Sequence, residues 1–143
     1  MTIGSWVSLG DAALTKQAPA ATGLNAPAGS SLPYSSRFSA HFSVDQEIPI
    51  TLGTSGVVGA SVNYVGEREG NFQPTAARAI FPAYAELDVL AGVKHDSWRI
   101  NLSVDNATDR RGVIGGGLDA GLPPYPLLYI RPRTVELSVS KTF

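Results

Sequence analysis

The sequence predicts an all-β protein made of antiparallel strands, with six strand-like segments and almost no helix. In each segment apolar and polar residues alternate with a period of two, the pattern of a strand with one apolar and one polar face. The connections between the segments alternate long, short, long, short, long along the 143 residues. That order is typical of an up-and-down transmembrane β-barrel, which has short turns on one side of the membrane and long loops on the other.

The first three segments differ in how regularly they alternate. The first, residues 2–9, is the weakest, and its apolar parity holds Ile3, Val7 and Leu9. The second, residues 37–45, alternates strictly, with apolar side chains at Phe38, Ala40, Phe42 and Val44. The third, residues 58–67, places its apolar side chains at Val58, Ala60, Val62 and Tyr64.

The last three segments continue the pattern. The fourth, residues 86–94, has Leu90 as an exception on its polar parity, and its apolar parity holds Leu87, Val89, Ala91 and Val93. The fifth, residues 98–105, holds Trp98, Ile100, Leu102 and Val104. The sixth, residues 134–140, holds Val135, Leu137 and Val139. Proline and glycine fall mostly between the segments, where they interrupt no strand.

The connections and the aromatic residues fit the same topology. Long links are predicted at residues 11–33, 69–82 and 110–128, and short links at residues 49–55 and 95–97. Aromatic residues near the long-loop ends are Tyr34, Tyr64, Tyr84 and Tyr129, and those near the short-turn ends are Trp98 and Phe143. Rings at both ends match the two interfacial belts of membrane barrels, although aromatic residues also favour strands in general.

The polar parity carries charges that would be costly in a dry interior. We therefore expect it to face a wet lumen, with opposite charges available as partners. The predicted lumen-facing polar residues are Arg37, His41, Asn63, Glu86, Asp88, Arg99, Asp105 and Glu136.

Composition argues against several other classes of function. The net charge is −1, so the sequence shows no electrostatic footprint for nucleic acid. Cysteine is absent, which excludes a disulfide framework and thiolate metal sites. No run approaches the roughly 18 apolar residues of a transmembrane helix, and the first ten residues do not read as a secretory signal.

No known catalytic motif occurs, so we predict that the chain is not an enzyme and holds no cofactor or metal. His41 lies between Ser39 and Ser43, but a lumen-facing polar role is favoured over a Ser–His pair. Asp105 and Asp109 around Asn106 would permit a calcium site, although hydrogen bonding within the loop is favoured. The triplet at residues 115–117 is predicted to be a flexible loop.

Five motifs follow one another in an order that is more specific than any one alone. They are Leu32-Pro33-Tyr34 before the second strand, Val62-Asn63-Tyr64-Val65-Gly66, the strand from Tyr84 to Gly92, Asn106-Ala107-Thr108-Asp109-Arg110-Arg111, and Arg131-Pro132-Arg133-Thr134 leading to Phe143. Together they resemble the last barrel strands of TonB-dependent outer-membrane receptors. Two positions depart from the family. Gly112 replaces an aromatic residue, and Lys141 has the lipid-facing parity, where an apolar or aromatic residue is usual.

The resemblance spans nearly all of residues 1–143 and implies the C-terminal part of such a receptor barrel, in the outer membrane of a Gram-negative bacterium. The family's plug domain and signal peptide have no counterpart here, so we expect a fragment. About six strands would leave the barrel incomplete. The implied function is energised uptake of a scarce nutrient, a ferric siderophore in this family. Implied partners are the TonB complex through the missing N-terminal part, the barrel-assembly machinery, the lipid bilayer and the ligand.

The resemblance also implies an assembly signal at the end of the chain, formed by Phe143 with Val135, Leu137 and Val139 on the same parity. A second interpretation remains open, in which the chain is a small stand-alone or oligomeric outer-membrane β-barrel with a binding or structural role. A soluble lipocalin-like barrel is disfavoured by the asymmetric loops and the terminal phenylalanine.

Overall fold

A computed structural model describes residues 1–18, 26–70, 72, 79–116 and 126–143. Within these ranges the chain is all β. The described ranges contain no helix that is long and apolar enough to cross a membrane. In chain order the strands are β1 (Thr2–Leu9), β2 (Phe38–Thr51), β3 (Thr54–Val65), β4 (Arg68–Glu69), β5 (Ile80–Phe81), β6 (Tyr84–His95), β7 (Trp98–Asp105), β8 (Val113–Gly116), β9 (Leu127–Tyr129) and β10 (Thr134–Lys141).

Six strands form one antiparallel sheet in the order β1-β2-β3-β6-β7-β10. Each pairs with the next long strand along the chain, so the sheet is an up-and-down meander, and all six strands predicted from alternation are present. β1 and β10 form its two edges, and among the described residues they do not pair with each other. The sheet is therefore open, and a closed barrel is not seen.

Two tight turns lie at one end of the sheet. Leu52 and Gly53 connect β2 to β3, and Asp96 and Ser97 connect β6 to β7. Gly53 and Asp96 both have positive φ values, 76° and 48°, which glycine and aspartate tolerate better than most residues. The Asp96 amide donates to the Gly53 carbonyl at 2.9 Å, so the two turns are joined to each other.

The hairpin of β2 and β3 is longer than alternation predicted, and the predicted short link at residues 49–55 was too wide. Pro49 lies inside β2, beside an irregularity in the register between Pro49 and Thr51. β1 pairs with β2 only as far as Asp45, so on that side no strand lies beside Pro49 to accept a hydrogen bond from its backbone. Proline, which has no amide hydrogen, is therefore tolerated at this position.

The long connections at the other end contain short strands that the sequence did not predict. β4 pairs with β5 in the link between β3 and β6, and β8 pairs with β9 in the link between β7 and β10. Gly115 and Gly116 belong to β8, so the prediction of a flexible loop there was wrong for these two residues. Gly117 lies outside the described residues.

Candidate functional site: the two faces of the sheet

The strand register places the apolar residues of neighbouring strands side by side across the whole sheet. Phe42 pairs with Val62, which pairs in turn with Leu87. Nearer the short turns, Leu137 pairs with Leu102, and Leu102 with Ala91. A register slip of one residue on any strand would break this continuity. The six apolar parities therefore form one continuous apolar face.

This apolar face is exposed. Phe42 is 51% exposed, Leu102 is 47% and Leu137 is 67%. On the opposite face the polar side chains of the central strands, such as His41 and Asp88, are only half-exposed. Among the described residues the buried hydrophobic side chains are Ala26 and Phe81, and both lie outside this sheet. The apolar face is thus the more exposed of the two, which is the reverse of a soluble antiparallel sheet, where the apolar face is buried.

Aromatic residues lie at both ends of the apolar face. At the long-loop end the rings of Phe38 and Tyr64 are 5.6 Å apart. At the short-turn end, Trp98 lies opposite His95 on one side and Lys141 on the other. The ammonium of Lys141 is 5.0 Å from the ring centroids of both Trp98 and Phe143.

Two tyrosines expected in the outer aromatic belt have other roles. Tyr84 pairs with Val65 and so has the polar parity, and its ring lies 5.5 Å from the Arg68 guanidinium. Tyr34 precedes β2 and stacks on Phe81 at 5.7 Å. The belt prediction was wrong for these two because position along a strand does not fix the side to which a ring points.

Seven of the eight polar residues predicted to face a lumen lie on the polar parity of the sheet, and the eighth, Arg37, directly precedes β2. Arg37 is 3.8 Å from Asp11 at the exposed long-loop end. His41 Nδ1 lies 2.7 Å from Asn63 Oδ1, and Ser61 donates to Asp88 at 3.3 Å. The face is therefore a cross-strand polar network, and whether it lines a lumen stays a prediction.

Trp6 also belongs to this polar face, although it was not among the residues predicted to lie there. It pairs with His41, and the two rings stack with centroids 6.0 Å apart. The alternation of β1 contains the signal, since Trp6 has the parity opposite to Ile3 and Val7. His41 is thus engaged by Asn63 and Trp6, which fits the polar role rather than a Ser–His pair.

Asn106 lies at the end of β7 and is completely buried. Its side chain donates to the carbonyls of Arg110 and Arg131, both at 2.9 Å, and accepts from the Arg110 amide at 2.8 Å. Its own amide donates to Asp88 at 2.9 Å. The prediction of hydrogen bonding within this loop is confirmed. In the described part of the chain, no group of three or more potential metal ligands is found.

The three long connections meet in a packed group that we call the loop cluster, formed by Tyr34, Arg68, Phe81, Tyr84 and Val113. Phe81 is 2% exposed and Arg68 8%, among the lowest values in the described chain. Arg68 donates to the Val113 carbonyl, and the Tyr34 amide donates to the Glu69 carbonyl at 2.7 Å. Within the described residues, the most buried side chains are therefore at the long-loop end and not under the sheet.

No protein family, curated protein or solved structure matches this chain. The geometry of the two faces and the order of the motifs are therefore the features that bear on function.

Proposed function

We propose that this chain forms part of the wall of an outer-membrane β-barrel, with the apolar face against lipid and the polar face towards the barrel interior. The observation that carries the proposal is the reversed exposure of the sheet. In water, so large a continuous apolar surface would be expected to bind a partner or a membrane. In a membrane barrel, alternating strands present apolar residues to lipid and polar residues to the lumen.

The open edges require further strands. Unpaired backbone groups on β1 and β10 would each cost several kcal/mol in hydrocarbon, so the sheet must be continued on both sides. The additional strands would come from a longer chain or from other copies. This requirement supports a larger barrel of which the described sheet is one sector.

The motif order supports a specific kind of barrel, a TonB-dependent receptor that takes up a scarce nutrient such as a ferric siderophore. In this proposal the loop cluster lies on the external side and the tight turns lie in the periplasm. The TonB complex would act through a plug-bearing N-terminal part. Phe143, together with Val135, Leu137 and Val139, would be read by the barrel-assembly machinery.

The test is fractionation of cells that express these strands within a complete receptor. We expect the protein in outer membranes, resistant to extraction by urea, because an apolar face in lipid is not released by a chaotrope that strips peripheral proteins. A matched receptor carrying Leu102→Arg and Leu137→Arg should lose membrane yield. Recovery of the unaltered protein in the soluble periplasmic fraction would overturn the proposal.

A second candidate is a barrel assembled from several copies of this chain. It is favoured by one observation, that β1 and β10 are both eight residues long and, as the ends of an even-numbered meander, run in opposite directions. The β1 edge of one copy could therefore pair with the β10 edge of the next in antiparallel fashion. Cross-linking between cysteines placed at Ser8 and Ser138, which both have the polar parity, should join separate chains in this case, and its absence would count against this assembly.

A further inference from the structure

We infer that Lys141, held between Trp98 and Phe143, forms a binding site for the headgroup of an anionic phospholipid. This inference rests on the proposed membrane position of the apolar face and adds a specific lipid class to it. Lys141 interrupts the pattern of the apolar face, because it is the one lysine, arginine or acidic residue on the apolar parity of the sheet's described strands.

The position of Lys141 is at the rim of the apolar face. It pairs with Trp98, which pairs with His95 beside the tight turn at Asp96 and Ser97. At that end a lysine can extend its ammonium towards the membrane surface while its methylene chain remains against apolar neighbours. Tryptophan also favours this interfacial level. Both side chains therefore place the site at the depth of lipid headgroups.

The surroundings of the ammonium favour an anion from outside the chain. Trp98 and Phe143 each approach it at 5.0 Å, which orients the side chain without accepting its hydrogen bonds. Among the described residues no ion pair involves Lys141, and the carboxylate of Asp96 in the adjoining turn lies 3.6 Å from His95. The three donors of Lys141 thus remain available for phosphate oxygens, and a phospholipid is the phosphate carrier that also covers the adjoining apolar face.

The chain provides a matched control on the opposite face. Lys94 has the polar parity and pairs with Arg99, in the cross-strand row next to that of Lys141. Replacing either lysine by glutamine removes the same charge at nearly the same level of the sheet. Only Lys141 should affect lipid recognition if the apolar face is the one in contact with lipid.

The experiment measures insertion of a complete receptor that contains these strands into vesicles of phosphatidylcholine, with or without phosphatidylglycerol. We expect more complete insertion with phosphatidylglycerol, and Lys141→Gln should reduce that preference about fivefold, the effect of one lysine at an anionic surface. Lys141→Arg should keep the preference, and Lys94→Gln should leave it unchanged. High salt should weaken the preference in the unaltered receptor.

The outcomes separate this inference from the proposed function. If the receptor inserts into phosphatidylcholine but its preference for phosphatidylglycerol is the same in Lys141→Gln, or falls equally in Lys94→Gln, the headgroup site is wrong and the membrane proposal stands. If the unaltered receptor inserts into neither kind of vesicle, the lipid-facing role of the apolar face fails, and the headgroup site fails with it.

Discussion

Leu102 and Ser103 are neighbours on β7 whose side chains point to opposite faces, since adjacent residues of a strand alternate. Leu102 is 47% exposed on the apolar face, whereas Ser103 is on the polar face. Leu102→Arg should destabilise the membrane-inserted protein by about 2–4 kcal/mol, the cost of arginine near the middle of a bilayer. Ser103→Arg should cost much less. Urea unfolding from lipid vesicles measures both, and equal penalties would show that the faces are assigned wrongly.

Asn106 shows how one buried side chain can connect separate segments. Asn106→Asp would replace two donated hydrogen bonds with a carboxylate facing the carbonyls of Arg110 and Arg131. We expect a loss of about 2–4 kcal/mol in local stability, because buried polar groups would lose their partners. Asp109→Asn is the matched control, since the amide keeps an oxygen to accept from Arg133 and tolerates the positive φ.

Hydrogen exchange at the Ile130 amide checks this prediction, because this amide donates to the Gly112 carbonyl and so joins the same two segments that Asn106 connects. Protection should fall in Asn106→Asp and remain in Asp109→Asn. Unchanged protection in both variants would mean that the Asn106 side chain does not hold the loop.

At the scale of elements, the β4–β5 hairpin is stabilised by one ring. Phe81 is 2% exposed and stacks on Tyr34, whereas its neighbour Ile80 in the same strand is 58% exposed. Phe81→Ala should destabilise the loop cluster by about 3–5 kcal/mol, and Ile80→Ala by well under 1 kcal/mol. Because the cluster is separate from the apolar face, we expect the main sheet to survive either change.

Amide exchange at Tyr34 and Gly70 reports on this element, because both amides bond to carbonyls of the hairpin region. Their protection should be lost in Phe81→Ala and kept in Ile80→Ala. Loss of protection throughout β2 and β3 would show instead that the cluster and the sheet unfold together.

Alternation was sufficient to predict the six long strands because each has enough residues to display a period of two. β4 and β5 have two residues each, too few to show any period. Their positions depend on contacts between distant connections, such as Arg68 with Val113, which local pattern does not encode. The polar parity could be predicted, but the stacking of Trp6 on His41 depends on the register of two strands that are far apart in sequence.

At the scale of the whole molecule, the two free edges determine what the chain can do alone. Residues 1–143 expressed behind an export signal, in a strain without the receptor, should restore no growth on a ferric chelate, because an open sheet in lipid leaves edge groups unpaired. The same strands within a complete receptor should restore growth. Rescue by the 143-residue chain itself would contradict both the proposed sector of a larger barrel and the mechanism of uptake.

The aromatic rows at the two ends of the apolar face also define a thickness. Thr54, in the row of Trp98, and Tyr64 are separated along β3 by a path of about 34 Å at roughly 3.4 Å per residue. With strands tilted by about 35–45°, the apolar band would be about 24–28 Å tall, close to the band of about 25 Å in outer-membrane barrels. Such a band is shorter than the hydrocarbon core of many bilayers, so hydrophobic mismatch should govern where the protein inserts.

Insertion into phosphatidylcholine vesicles of increasing acyl-chain length should be most complete in thin bilayers and decline in thicker ones. Insertion independent of thickness would mean that these two rows do not mark the membrane boundaries.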